Sequence, residues 1–218
     1  MKKILNLLLL IAIFTISACN STYTLDQDQL DTPIDTSSNN NNPDLYSNNF
    51  YEFTYPSQLL KLEEIGGELN TEVSLKHSVD FKHIDDCDMS DNTKMLDDIS
   101  DFSMTINIES SFEDALKNNF DTVALEFYSY NTLQVQPGYI DEYTLGAWQG
   151  YLITSQVEYC GNYHYYFPIT DTKTLVITRD FSDLVSNFDG TLSSVSGVIQ
   201  LDQEQKLFED ILTSLVLK

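Results

Sequence analysis

Between Phe50 and Lys218 apolar residues recur at two spacings, and each predicts a different kind of element. Phe50, Tyr51, Phe53 and Tyr55 crowd a short run that Pro56 closes, which predicts a strand ending in a turn. Val73-Ser74-Leu75, Val79-Asp80-Phe81 and Phe102–Ile108 alternate apolar and polar residues with the period of two expected of half-buried strands. Tyr151–Tyr159, Tyr163–Ile169 and Thr174–Arg179 are separated by turn signals at Gly161-Asn162 and at Thr170–Lys173, the pattern of an antiparallel three-strand meander. Helical spacing appears twice. Ser110 or Ser111, with Glu113 or Asp114 three residues on, makes a capping box for a short helix through Leu116. Near the end, Asp202 as N-cap and Gln205 at the box position precede a stripe of Leu207, Phe208, Ile211, Leu212 and Leu215. Strands dominate and connections are short, so the expected class is α+β, an antiparallel β-sheet flanked by α-helices. No internal repeat of fixed period is present.

The first fifty residues follow other rules. Lys2-Lys3 precede an apolar stretch from Ile4 to Phe14, and Ile16-Ser17-Ala18 lead to Cys19, the layout of a secretory signal. The apolar core falls short of the roughly 20 residues needed to cross a bilayer as a helix. An aliphatic residue, two small residues and a Cys resemble the lipobox of bacterial lipoproteins. That resemblance implies cleavage at Ala18–Cys19 and acylation of the Cys19 thiol, with 1–18 as the signal peptide. The alternative is an ordinary signal peptide with a chance Cys at the cleavage point. Residues 19–49 carry Ser, Thr, Asp and Asn, a run Asn39–Asn42 and scattered apolar residues, too little to offset ordering entropy. They read as a disordered spacer before a single globular domain over 50–218.

Charge sharpens the picture. The 218 residues hold 11 Lys plus Arg against 34 Asp plus Glu, a formal charge of −23. Removing Lys2 and Lys3 with the signal takes it to −25. A chain so acidic excludes nucleic acid as partner, because phosphate affinity comes from clustered basic residues. Anionic head groups would repel it as well, so the bilayer becomes a partner through acylated Cys19, with two or more acyl chains needed for stable anchoring. The expected location is outside the cytoplasm, lipid-anchored to a bacterial membrane.

Within the domain, Phe53-Thr54-Tyr55-Pro56, Cys160-Gly161 followed by Tyr165-Tyr166-Phe167-Pro168, Lys173–Arg179 and the closing Phe208-x-x-Ile211-Leu212-x-Ser214 resemble PsbP-like proteins. The resemblance spans most of 50–218 in order. It implies an α/β/α sandwich, an antiparallel sheet with helices on both faces, and it transfers no activity. Two departures stand out: Ser-Gln-Leu-Leu follows Pro56 where a Trp is looked for, and 180–200 matches nothing.

Several constellations offer chemistry. With Cys19 acylated, Cys87 and Cys160 remain, most simply as a disulfide in an exported domain. Its loop of about 74 residues would contribute roughly 4 kcal/mol in the chain-entropy account. His83-x3-Cys87 with Cys160-x3-His164 offers a zinc alternative, although residues four apart on a strand lie about 13 Å apart; two free thiols are the third. Asp85–Asp101 is acid-rich, and Asp86, Asp88, Ser90 and Asn92 alternate as in a calcium loop. Asp91 stands where such a loop requires Gly and Asp97 where it expects Glu, so a solvated acidic loop is the plainer reading. No nucleophile elbow, zinc-protease motif or phosphate-cradling loop is present, and no cofactor is expected. His77 reads as a surface or satisfied core histidine. Tyr139, Tyr143, Tyr151, Tyr159, Tyr163, Tyr165, Tyr166 and Trp148 could pave a face for a protein or glycan, or serve as ordinary sheet pairs; adjacent Tyr165 and Tyr166 must point to opposite faces. The sequence therefore supports a non-catalytic binding or accessory module at the envelope. The alternatives are an envelope hydrolase or carbohydrate-active protein with paired carboxylates near the aromatics, and a calcium-dependent module.

Overall fold

Alternation of period two produces most of this molecule. In the computed structural model the residues described are 42–66, 71–84, 95–130, 132–157, 160–182 and 195–218. Along the chain they form β1 (Asp44–Ser47), β2 (Tyr51–Tyr55), β3 (Lys61–Gly66), β4 (Glu72–Ile84) and β5 (Met95–Glu109). Helix α1 (Phe112–Asn118), a 3-10 turn over Ala124–Phe127 and the small strands β6 (Tyr128–Ser129) and β7 (Thr132–Leu133) follow. Then come β8 (Ile140–Leu145), β9 (Trp148–Val157), β10 (Cys160–Thr170), β11 (Lys173–Ser182), helix α2 (Leu201–Ser214) and β12 (Val216–Leu217).

Seven strands pair antiparallel in the order β3-β4-β5-β11-β10-β9-β8. The two runs read as separate strands at Val73 and Val79 belong to β4 alone, which a bulge between His77 and Ser78 bends without ending. The meander is present, with Tyr165 opposite Ile177 and Leu152. Gly161 and Asn162, read as a turn, lie inside β10.

Because side chains alternate across a strand, the sheet has two apolar faces. On one, Val73, Leu75, Met104, Ile106, Tyr165, Phe167, Leu175 and Ile177 meet α2 and the strand β2. On the other, Ile140, Ile153, Tyr166 and Val176 meet Phe112, Ala115 and Leu116 of α1 together with Ala124 and Leu133. A smaller cluster joins Ile99 to Val198 under the segment that leads into α2.

The α/β/α sandwich is overturned. The molecule is mostly β: among the described residues strands cover 57%, and only two α-helices occur. The first face is covered by a second, three-stranded sheet of order β1-β2-β12 as well as by α2. The physical reason lies at the chain's two ends. Asp44–Ser47, inside the stretch read as spacer, pairs with Glu52–Tyr55, and Val216-Leu217 pairs with the other edge of β2. Each is too short to signal a strand alone; β2 supplies the partner. The turn between β1 and β2 is fixed by Asn48, whose Oδ1 accepts from Phe50 N at 2.8 Å and Tyr51 N at 2.9 Å.

Both helix starts follow from local chemistry. Ser111 caps α1, its Oγ accepting from Asp114 N at 3.1 Å. Helix α2 begins two residues before the expected cap: Gln200 is the N-cap, and its N–H donates to Gln203 Oε1 at 3.4 Å. Asp101 accepts from Ile199 N at 2.6 Å and pins the chain where it enters the helix. The stripe on α2 is as read, with Phe208, Ile211, Leu212 and Leu215 buried.

Candidate functional site

Residues 112–130 and 132–135 form a cap over the second face of the sheet, and they bring buried polar groups and exposed aromatics together. Phe112 fixes the cap from below. Its ring stacks on Tyr151 at 5.6 Å and meets Tyr166 and Tyr128 edge-on at 5.7 and 5.5 Å. Helix α1 then closes with two backbone bonds: Phe120 N to Lys117 O at 3.2 Å and Asp121 N to Leu116 O at 2.9 Å. This is the Schellman arrangement, whose left-handed residue is usually Gly. Here that residue is Phe120, at φ 59° and 87% exposed.

The closure turns Asp121 inward. Its Oδ2 lies 2.6 Å from His164 Nδ1 and accepts a short hydrogen bond from the Tyr166 hydroxyl. Asp121, His164 and Tyr166 are all buried. His164 and Tyr166 share a face of β10 because they are two residues apart. Burial, reinforced by the neighbouring Asp121 charge, pushes the Tyr166 phenol far above its usual value. Acid, imidazole and phenol are acid–base residue types, and the His164 and Asp121 side chains are 6% and 5% exposed. What the arrangement does is stitch the cap to the sheet: losing either partner would leave a buried polar group without a bond.

Beyond the 3-10 turn, β6 and β7 form a hairpin with Ser129 opposite Thr132. Tyr130 sits at its tip at φ 51° and 99% exposed. Such two-residue loops favour Asn, Asp or Gly at left-handed positions. Val123, at the start of the 3-10 turn, is also exposed.

Two further polar clusters brace the first face. His77 Nδ1 lies 2.5 Å from Asp101 Oδ1 while Asp101 Oδ2 holds Ile199 N, so His77 is the satisfied histidine of the sequence reading. Buried Arg179 reaches Glu204 at 2.6 Å and Gln205 at 2.8 Å and lies 4.5 Å over the Phe208 ring. Its Nε has no hydrogen-bond partner.

Cys19, Cys87, Tyr159 and the calcium candidates Asp86, Asp88, Ser90 and Asn92 lie outside the described residues. Of the zinc set, His83 is on β4 and Cys160 and His164 are on β10, with β5 and β11 between them. Three strand spacings make about 14 Å, so these backbone positions do not converge on one ion. Among the described residues no group of three or more His, Cys, Asp or Glu could hold a metal. The acid-rich stretch is in part strand: Asp97 and Asp98 are exposed on β5, while Asp101 is buried. Among the described residues these tyrosines do not pave an open face. Tyr165 and Tyr166 are buried on opposite sides, Tyr143 and Tyr163 pack on the first core, and Tyr139 and Tyr151 on the second. Trp148 packs on Phe167 at 5.4 Å and donates from Nε1 to Leu212 O at 3.0 Å.

Sequence reasoning missed Phe120, Asp121 and Tyr130. The signal was present as aromatics at turn positions, in Asn118-Asn119-Phe120-Asp121 and Ser129-Tyr130-Asn131-Thr132, where Gly or Asn is the ordinary choice.

No known protein family matches the chain, and no curated protein matches it in sequence. Among solved structures, a protein from Bacteroides thetaiotaomicron VPI-5482 aligns over 77% of this chain at 11% identity with a TM-score of 0.38. The chain spans 45% of that protein's length, and a likeness of this size carries no argument about fold or activity.

Proposed function

We propose that the chain is an exported lipoprotein, acylated at Cys19, whose folded domain is a non-catalytic binding or accessory module held off a bacterial membrane. The observation that carries this reading is the run Lys2-Lys3, apolar Ile4–Phe14, then Ile16-Ser17-Ala18-Cys19. It does not depend on the PsbP-like resemblance, whose sandwich the chain does not adopt. The charge of −23 supports it, since so acidic a domain needs covalent lipid to stay at an anionic surface. About 25 residues separate Cys19 from Asp44, enough for a coil to span roughly 25–30 Å. The second support is how the described domain uses its ionisable groups. His77, His164 and Arg179 each hold a carboxylate; the His164 and Arg179 pairs tie covering elements to the large sheet, and the His77 pair joins two of its strands. In the same reading Cys87 and Cys160 form a disulfide, as fits an exported domain.

Intact mass of the native protein, before and after reduction and thiol alkylation, tests this. The expected result is a diacyl or triacyl increment at Cys19, lost in Cys19→Ser, with Cys87 and Cys160 alkylated only after reduction. An unmodified chain retaining residues 1–18 would overturn the export and anchoring reading. Turnover of an envelope substrate, abolished by a point change that leaves the fold intact, would overturn the non-catalytic one.

A further inference from the structure

We propose that the cap formed by residues 112–130 and 132–135 is a docking surface for a cationic protein, with Phe120 and Tyr130 as the side chains that anchor it. The proposal rests on the reading of the chain as a tethered binding module and adds the surface and the chemistry of the partner.

Among the described residues, Phe120 and Tyr130 are the two non-glycine residues with positive φ, and both are large, aromatic and almost wholly in water. A bulky side chain in the left-handed region is a conformational outlier, and Gly or Asn would fit either turn without loss of packing. The fold gains nothing from these rings. Backbone strain of this kind persists where the surroundings over-determine it. At Phe120 they do: the two closing bonds of α1 fix the backbone on one side, and Asp121 is tied to His164 and Tyr166 on the other. At Tyr130, the pairing of Tyr128 with Leu133 and the packing of Tyr128 on Phe112 hold the hairpin. Both residues therefore sit at fixed backbone positions. An aromatic side chain there has only two χ angles to order when a partner's pocket closes on it, a small entropy cost for its contact area.

Charge selects the partner. Glu126 is exposed on the cap and Asp114 is half-buried there, while exposed Glu113 and Lys117 pair with each other at 2.6 Å. The whole chain carries −23. A second copy of this chain or a nucleic acid would be repelled, and so would an anionic membrane. A protein whose apolar pocket is rimmed by Lys and Arg is complementary in both respects. Geometry agrees: the strand β1, where the polar N-terminal stretch joins the domain, belongs to the layer on the opposite face of the large sheet.

The test uses the full chain in the cells that make it, with p-benzoylphenylalanine placed at 120, at 130 and, as control on the other layer, at exposed Leu201. The expected result is a protein adduct from 120 and from 130 but not from 201, and the captured protein is net cationic. Once purified, that protein should bind the double variant Phe120→Gly, Tyr130→Asn at least tenfold more weakly. Binding to the unaltered chain should weaken as salt is raised. Both substitutions relieve left-handed strain, so the double variant should melt no lower than the parent, which separates lost docking from lost folding. The proposal is overturned by absence of adducts, by equal adducts from 201, by adducts to lipid or to a second copy alone, or by a captured protein that binds the double variant undiminished. Intact mass of the same samples separates the two readings: an acylated chain without adducts refutes the docking surface alone, and a chain without acyl groups refutes the anchoring beneath it.

Discussion

Replacing Asp121 tests whether the buried network under the cap acts as a unit. Removing its carboxylate with Asp121→Ala leaves the Tyr166 hydroxyl and His164 Nδ1 buried without their partner. An orphaned buried polar group costs about 1–3 kcal/mol, so two should cost about 4 kcal/mol. Tyr166→Phe removes one hydrogen bond to a charged group, about 2 kcal/mol, while His164 still satisfies the carboxylate. If the bonds were independent, the double variant would lose about 6 kcal/mol. The structure says otherwise, because once Asp121 is gone the phenol hydroxyl is an orphan whose removal gives back its share of the cost. The double variant should therefore lose only about 2 kcal/mol, for the His164 orphan alone, a coupling of about 4 kcal/mol. Urea unfolding followed by the fluorescence of Trp148 suits the measurement: it is the chain's one tryptophan, and its indole joins β9 to α2. Additivity within about 0.5 kcal/mol would refute the network, since that is how sites without shared partners behave.

Gly150→Ala should cost about 1–3 kcal/mol or more, because its new methyl would fall within the van der Waals shell of the Tyr166 carbonyl oxygen and 3.0 Å from the Phe167 ring; an unchanged urea midpoint would show that β9 and β10 can part freely there. Arg179→Ala should cost about 3–5 kcal/mol by leaving Glu204 largely buried and unpaired, whereas Arg179→Leu with Glu204→Leu should recover most of it, and thermal melts compare the two. Burial raises the phenols of Tyr51 and Tyr166 above their ordinary value and pushes Tyr143 up to about 12. The unfolded chain gives up these protons first, so their contribution is intact below about pH 10 and is lost as the pH rises through the folded values. A titration from pH 8 to 12 followed by circular dichroism should show this loss, with a slope for Tyr166 of at most about 1.4 kcal/mol per pH unit that disappears in Tyr166→Phe.

Local chemistry was legible wherever a residue's role depends on near neighbours. The alternation in Phe102–Ile108 and Thr174–Arg179, the Ser111 cap and the stripe ending at Leu215 all appear in the structure as strands, a helix start and a buried helix face. These follow from side-chain period and from hydrogen bonds spanning three or four residues, which a sequence records directly.

Only the tertiary structure decided which layers cover the sheet and which polar residues meet. Asp44–Ser47 and Val216-Leu217 are too short to nucleate as strands, and they exist because β2 offers two free edges. Asp121 finds His164 and Tyr166 across more than forty residues, and Asp101 finds Ile199 across 98, distances at which no sequence spacing carries information. Phe120 and Tyr130 could be read as turn aromatics but not as exposed ones on a pinned backbone, because that depends on the anchoring beneath them. Periodicity fixes which face of an element is apolar; what covers that face is settled by the rest of the chain competing to bury it.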